Sequence, residues 1–388
     1  MSIYEQDPVT GEDTDRFYEM LQSASSVFDK NQKDLVNPVA SANLAKKTRS
    51  TYDLVPELVI NYRLLGTDDQ HTRLDWRGSV LMSVYNQYDD SFYPAELKTV
   101  SWDNGVNTAS SSSLKSVNFN TKQTLTFTPH FNNMDHSLIM MGRLNSGTNS
   151  SQSNGAKLLP SGGIESPDAG GVNTGLASSY SQSRTMYFTL SAHYAYKGKY
   201  MADFSMRADG TTKFGPNKRW GYFPALSLRW NISDEEFMKP ARKWLSMLSL
   251  RPSWGRVGTA PRIDYLYTSK YASGNKYIDM QTMYPLNIRL TDLRWQETSS
   301  YNLGVDIGLW DDKLTMAIET YRSTTSDILL ENYRIPSNSG FVTVPYHNSG
   351  KMRNVGWEFH VNTNRLIKFG KAIMDVNANF GNNRNEIL

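Results

Sequence analysis

Apolar residues recur at every second position along most of this chain, the period of a β-strand with one apolar and one polar face. The run at 301–309 is the plainest case: Tyr301, Leu303, Val305, Ile307 and Leu309 fall on one face, and Asn302, Gly304, Asp306 and Gly308 on the other. No helical period accommodates it. The same alternation sets Leu58, Ile60, Tyr62 and Leu64 against Asn61 and Arg63, and Leu125, Phe127 and Phe131 against Thr124, Thr126, Thr128 and His130. It sets Met186, Phe188, Leu190, Ala192 and Tyr194 against Thr185, Thr189, Ser191 and His193. Near the end, Val355, Trp357, Phe359 and Val361 alternate with Glu358, His360 and Asn362, and Met374, Val376, Ala378 and Phe380 with Asp375, Asn377 and Asn379. The pattern predicts about twelve strands, many close to the roughly ten residues of a tilted membrane-crossing strand.

Alternation does not say which face is wet, because a soluble sandwich hides its apolar face in a core whereas an outer-membrane barrel turns it toward lipid. Connection lengths separate the two. The gaps between expected strands run approximately 67–73, 86–117, 131–136, 145–183, 197–199, 209–220, 233–246, 259–299, 310–313, 325–353 and 365–370. Short and long alternate, except at the middle pair 209–220 and 233–246. A bacterial barrel has this rhythm, with tight periplasmic turns and long external loops, and a sandwich has no reason to keep it. Between Asn145 and Ser183, 17 of 39 residues are Gly or Ser, so an exposed loop is expected there. Lys197-Gly198-Lys199 and Asp311-Asp312-Lys313 have turn chemistry. Tyr194, Tyr196, Tyr200, Trp230 and Trp310 gather beside short turns, as in an aromatic girdle at lipid head groups or in cross-strand pairs of a soluble sheet. Ser233-Asp234-Glu235-Glu236 has the spacing of a capping box, which predicts a short helix on the turn side.

Composition narrows the class further. Aromatic residues are 12% of the 388 and charged residues 20%, a balance unlike that of a helical bundle or a disordered tail. No window approaches the roughly 18 consecutive apolar residues of a spanning helix, which excludes a helical membrane protein. The net charge is +3 with neither sign gathered into a block, so nucleic acid is not an expected partner. Cysteine is absent, which removes disulfide scaffolds, Cys-ligated zinc and thiol nucleophiles. Residues 1–8 lack the basic start and apolar stretch of a signal peptide, so an exported form is expected to begin upstream or to have lost one.

No catalytic constellation emerges. HExxH, P-loop, G-x-S-x-G and a strand-to-helix G-x-G-x-x-G are all absent, and the six histidines are scattered without ligand spacing. Adjacent acids such as Asp89-Asp90 do not provide carboxylates on opposite sides of a sugar bond. The reading is a non-enzyme without cofactor or metal. The polar-face charges carry more information: Asp203, Arg207, Arg229, Asp306, Glu319, and Glu358 with His360. Turned to lipid, an Arg or Lys would cost up to roughly 2–4 kcal/mol, so these residues are expected to face a wet lumen. There they either pair across strands and hold the wall or contact cargo or a plug. Among loop aromatics, Trp102, Tyr265, Tyr267, Tyr284 and Tyr346 are candidates to stack on sugar rings, with packing against neighbouring loops as the alternative.

Residues 200–232, YMADFSMRADGTTKFGPNKRWGYFPALSLRWNI, resemble a signature of the SusC/RagA family of TonB-linked outer-membrane transporters. That family has a strand ending in Arg, then Asp-Gly-Ser-Ser-Arg-Phe-Gly, then Arg-Trp-Gly-x-Phe-Pro. Here the matching positions are Arg207, Asp209, Gly210, Phe214, Gly215, Arg219, Trp220, Gly221, Phe223 and Pro224, with Thr211, Thr212 and Lys213 replacing Ser-Ser-Arg. Asn37-Pro38 with Ala40, the stretch from Leu248 to Gly258, Glu297 to Asp306, and Asn348 to Glu358 resemble further family segments in the same order. Pro252 stands where the family usually has Ala, and suggests a bulge or an edge because it lacks a ladder donor.

The resemblance implies an all-β fold: an antiparallel transmembrane β-barrel segment of about twelve strands, partial relative to a 22-stranded plugged barrel. Residues 1–388 then form a TonB-dependent receptor-like barrel portion, with 1–50 as an extracellular loop region and the plug domain absent from the stretch. It further implies residence in the outer membrane of Bacteroidota and import of glycans or peptides. The implied partners are a SusD-like surface lipoprotein over the mouth, the TonB-ExbB-ExbD complex acting through the plug region, cargo and membrane lipid. A passive outer-membrane channel and a secreted β-rich glycan-binding or hydrolysing module are the alternatives.

Overall fold

The computed structural model describes residues 4–17, 38–67, 71–94, 97, 107–133, 135–159, 172–341, 343–365, 367–370 and 372–388. Strands dominate. In chain order they are β1 (Tyr4–Gln6), β2 (Asp13–Phe17), β3 (Lys46–Leu54), β4 (Glu57–Leu65), β5 (Arg73–Tyr93), β6 (Thr108–Thr128), β7 (His136–Leu159) and β8 (Val172–Tyr196). There follow β9 (Tyr200–Thr211), β10 (Trp220–Asn231), β11 (Leu245–Thr259), β12 (Tyr271–Tyr277), β13 (Met280–Pro285), β14 (Gln296–Leu309) and β15 (Leu314–Ser326). The last are β16 (Leu329–Arg334), β17 (Thr343–Asn348), β18 (Lys351–Thr363), β19 (Ile367–Phe369), β20 (Ala372–Met374) and β21 (Asn377–Ile387). One α-helix, α1 (Pro38–Leu44), buries Ala40. Among the described residues no helix is long and apolar enough to cross a membrane, a statement that leaves strands untouched.

Thirteen strands form one sheet in the order β21-β18-β15-β14-β11-β10-β9-β8-β7-β6-β5-β3, with β4 also pairing β5. From β8 to β21 every pairing is antiparallel. Connections differ in length on the two ends of this stretch. Residues 197–199, 232–244, 310–313 and 364–376 join strands at one end, the last holding the short hairpin β19–β20, whereas the longer 260–295 and 327–350 at the other end hold the hairpins β12–β13 and β16–β17. The link 212–219 between β9 and β10 also lies at that second end and is short. Lys197, Trp310, Asp311 and Asp312 have positive φ, which gives these tight turns their reversal.

The chain divides into two compact units, one of Met1–Pro56, Leu81–Phe119 and Asn149–Gln182, the other of Glu57–Val80, Asn120–Thr148 and Ser183–Leu388. The first corrects two expected loops. Within 86–117 and 145–183, residues 86–93, 108–117, 145–159 and 172–183 are strand. These strands are polar on both faces, so hydrophobic periodicity is silent about them. Hydroxyl pairs tie them instead, Ser91 to Ser110 at 2.7 Å and Ser153 to Ser179 at 2.7 Å, and Arg49 reaches across to Asp89 at 2.5 Å.

The capping-box stretch forms the expected short helical segment as 3-10 turns at Ile232–Asp234 and Glu236–Lys243, with no side-chain cap bond and with Pro240 inside the second turn. Pro252 sits in a central strand, neither at an edge nor at a bulge. Opposite β14 it pairs in register with Leu303, while the ladder to β10 lapses between Ser227–Ser253 and Trp230–Leu250 without a register shift. The missing N–H thus costs ladder bonds on the β10 side only.

Candidate functional site

Residues directly opposite each other in an antiparallel pair share a face. The register links Asp203, Ser227, Ser253, Asn302, Tyr321 and Gly356 in one row across β9, β10, β11, β14, β15 and β18. Counting by twos along each strand from this row places Asp203, Arg207, Arg229, Asp306, Glu319, Glu358 and His360 on the same face. All seven polar candidates therefore share one side of the sheet. The other side carries Phe204, Leu226, Leu303, Ile318, Trp357 and Phe380, each between 41% and 58% exposed. Among the described residues no second layer covers these side chains, as a soluble sandwich would require.

The polar face is knitted by charge. Arg251 donates through Nε to Asp306 Oδ2 at 2.7 Å and through Nη2 to Asp306 Oδ1 at 2.7 Å and Glu319 Oε1 at 2.8 Å. Ser249 Oγ adds a bond to Asp306 Oδ2 at 3.0 Å. Gly304 lies between Arg251 and Glu319 in the row, and a Cβ there would sit 3.2 Å from Arg251 Nη2, so the glycine clears the path of the ion pair. Arg207 donates to Asp209 at 2.5 Å and lies 4.3 Å over the Tyr187 ring. Arg229 donates to Asn231 at 2.9 Å, His193 meets Asp203 at 2.6 Å, and His360 lies 3.6 Å from Glu358 and 2.7 Å from Asn379. Arg251, Ser249 and His193 were not among the expected polar candidates. Arg251 was legible, since it falls on the polar side of a strand that alternates from Leu248 and Leu250. A hollow of about 490 Å³ on this face is lined by Ser191, Ser205, Ser227, Ser253 and Asn302 beside the His193–Asp203 pair, and by apolar Ile139, Met141 and Val257.

On the apolar face, beside the tight turns, Tyr196 stacks on Tyr200 at 6.3 Å and Tyr200 on Trp230 at 6.4 Å. Tyr200 Oη and Trp230 Nε1 both donate to Glu235 Oε1, at 2.5 and 3.1 Å, and Lys199 Nζ donates to Oε2 at 3.3 Å. These donors, the tyrosine first, hold the Glu235 carboxyl below its ordinary range.

At the opposite end the signature residues form an anchor. Phe214 is fully buried with Leu266, Leu293 and Tyr346, and Trp295 packs at 4.9 Å from its ring. Phe223 meets Trp295 edge-on at 5.6 Å and lies over Gly221 and Gly258, where a Cβ would overlap its ring. The Trp220 ring covers Gly210, and a Cβ on Gly215 would come 3.1 Å from the Thr291 carbonyl. Trp295 Nε1 donates to the Arg219 carbonyl at 3.3 Å and Lys213 Nζ to that of Arg262 at 3.0 Å. The connections 260–295 and 327–350 are further stitched by Asn348, which accepts from Arg294 N at 2.9 Å and donates to the carbonyls of Arg294 and Asp327, both at 2.9 Å. The signature thus fastens the long connections to the strand ends.

The loop aromatics have separate fates. Tyr346 is 4% exposed, and its hydroxyl donates to Glu331 at 2.9 Å, so it is core and not a stacking surface for sugar. Burial, with the Glu331 bond, raises the Tyr346 phenol above its ordinary pKa. Tyr267 is half-buried under the Arg219 guanidinium at 5.8 Å, and Tyr265 is half-buried with Lys270 5.7 Å over its ring. Tyr284 is exposed on β13. Trp102 lies outside the described residues. Among the described residues no three His, Cys, Asp or Glu side chains are grouped to hold a metal.

The family described as TonB dependent receptor-like, beta-barrel matches residues 6–386. Over 195 residues, 50% of this chain, the sequence is 35% identical to a TonB-dependent receptor of Formosa agariphila, 18% of which is covered. Over 202 residues, also 50% of this chain, it is 32% identical to TonB-dependent receptor SusC of Bacteroides thetaiotaomicron, 20% of which is covered. A solved structure of the RagAB peptide importer in its open-open state superposes with a TM-score of 0.79 at 18% identity, over 98% of this chain and 40% of that chain. At that identity the likeness concerns the fold. The chain spans well under half the length of the relatives it matches. Its two-faced strands and tied loops fit these likenesses, and the chain belongs to the TonB dependent receptor-like β-barrel family of outer-membrane proteins.

Proposed function

We propose that this chain is part of the barrel wall of an active importer that carries glycans or peptides across the outer membrane. The observation that carries the reading is the sorting along the middle of the sheet: every expected polar candidate on one face, and Phe204, Leu226, Leu303, Ile318, Trp357 and Phe380 exposed on the other. In such a wall Asp203, Arg207, Arg229, Asp306, Glu319, Glu358 and His360 border an aqueous lumen. The hollow of hydroxyls and amide beside His193 and Asp203 offers donors and acceptors to a hydroxyl-rich or peptide cargo. Transport of this kind needs no covalent step. In this reading a SusD-like surface lipoprotein is the cap and TonB-ExbB-ExbD supplies energy through a plug region; a relative named TonB-dependent receptor SusC supports the dependence on TonB. Of the five expected loop aromatics, Tyr284 is the described one that stands exposed, on a hairpin where it can meet cargo or cap.

Deleting the gene and measuring uptake of oligosaccharides and of oligopeptides, with and without functional TonB, tests the reading. The expected result is TonB-dependent loss of one class, restored by the gene. Uptake indifferent to TonB would favour a passive channel, and uptake unchanged by the deletion would overturn the proposal.

A further inference from the structure

At the end of the long connections, the apolar face terminates in cations that have no partner. On β15 its side chains give way to Arg322, on β18 to Arg353 and Lys351, and on β21 to Arg384. The register sets Arg322 opposite Val355 and Val355 opposite Arg384. These two arginines therefore share a row, two strands or about 10 Å apart. Arg353 stands on the same face two residues beyond Val355, between them along the sheet, and Lys351 follows it. Among the described residues none of the four cationic groups makes an ion pair or a side-chain hydrogen bond, and Arg353 Nε is buried without an acceptor. Glu386 lies opposite Arg353 on β21 yet forms no ion pair with it. Two strands away, Arg256 on the same face shows the contrast, since it pairs with Glu297 at 3.4 Å.

Depth identifies what the cluster meets. It begins where the apolar run Val361, Phe359, Trp357, Val355 of β18 stops, and the half-exposed Trp357 marks the head-group boundary. Tight turns face the periplasm, so this end lies at the outer leaflet, whose glycolipids carry phosphate. Four cationic groups here face one carboxylate, Glu386, which leaves an excess of positive charge, and planar guanidinium forks match phosphate oxygens two at a time. We infer that Arg322, Arg353 and Arg384, with Lys351, form a binding site for the phosphorylated head group of an outer-leaflet glycolipid, held against the outside of the wall. The inference rests on the membrane placement of the apolar face and not on import, so either can fail alone.

The intact receptor containing this chain, extracted from outer membranes in mild detergent, should retain phosphorylated glycolipid detectable by native mass spectrometry. The triple variant Arg322→Ser, Arg353→Ser, Arg384→Ser should retain roughly a hundredfold less, at about fivefold per basic residue near a charged membrane surface. Arg256→Ser should match the unaltered protein. In bilayer nanodiscs, delipidated receptor should bind lipid A and not its dephosphorylated form, and equimolar inorganic phosphate should not displace it. Equal retention by the triple variant, equal binding of the dephosphorylated lipid, or displacement by inorganic phosphate would each overturn the assignment. Heat-modifiable migration reports folding. If the triple variant fails that check, Arg353→Gln alone should lower retention about fivefold, and unchanged retention there refutes the site.

Discussion

Phe214→Ala removes the centre of the cluster that fastens the long connections. The ring is fully buried among Leu266, Leu293 and Tyr346, with Trp295 4.9 Å away, so its truncation leaves a cavity. Truncating a buried Phe to Ala costs about 3–5 kcal/mol. The sheet does not depend on this ring, because the strand ladders run independently of it. The cost therefore falls on local opening of 260–295 and 327–350, which should become roughly a hundred- to several-thousandfold more populated. Amide hydrogen exchange reads this directly. Leu290 N, bonded to Leu266 O at 2.9 Å, Arg294 N, bonded to Asn348 Oδ1 at 2.9 Å, and Leu329 N, bonded to Gln296 Oε1 at 3.0 Å, should lose protection by that factor. Amides in the middle of β14 and β15 should keep theirs. Unchanged exchange at the three loop amides, or equal loss across the strands, refutes the view that the signature phenylalanine serves the loops.

Three further outcomes follow from the same geometry. Arg251→Met leaves Asp306 and Glu319 without their shared cation and should destabilise the folded barrel by about 1–3 kcal/mol in urea titration, while Arg251→Lys recovers only part because the forked donor is lost. Gly258→Ala places a Cβ inside the Phe223 ring and should cost about 1–3 kcal/mol; adding Phe223→Leu should recover most of it, and a harmless single substitution contradicts the packing. Glu235 has a folded pKa below its ordinary 4.5, so its contribution is complete above that value and disappears as pH falls through the lower folded value. Trp230 fluorescence should then change on acidification below about pH 4.5 in the natural protein, and Glu235→Gln should abolish that pH step.

Much of the wall was legible because alternation is a local property. Once Tyr301, Leu303 and Val305 share a face, Asp306 must lie on the other, and antiparallel register carries the sorting from β9 to β18. What escaped was held by non-local or non-apolar contacts. The Ser-rich halves of β6, β7 and β8 have no apolar face to betray them, and their strands rest on backbone ladders and hydroxyl pairs. Tyr346 reads as an exposed loop aromatic until Phe214, Leu266 and Leu293, far away in the chain, close around it. Arg251 lies within the family-like stretch from Leu248 to Gly258, and its position two residues from Ser249 and Ser253 places it on the polar side. Pro252 misled in the opposite direction, because a lost donor need not end or bulge a strand whose other ladder stays intact.

The sorting of the two faces can be measured most directly in a chain that has no cysteine of its own. Single cysteines at Ser205, Ser227 and Asn302 on the polar face, and at Phe204, Leu226 and Leu303 on the apolar face, can be introduced into the intact receptor in outer membranes. The polar-face set should react with a small charged maleimide, and the apolar-face set should resist it while a label attached there is quenched by lipid-soluble quenchers. Rapid aqueous labelling of Phe204, Leu226 and Leu303 positions, or lipid quenching at Ser205, Ser227 and Asn302, would contradict a wall that turns its apolar side to lipid.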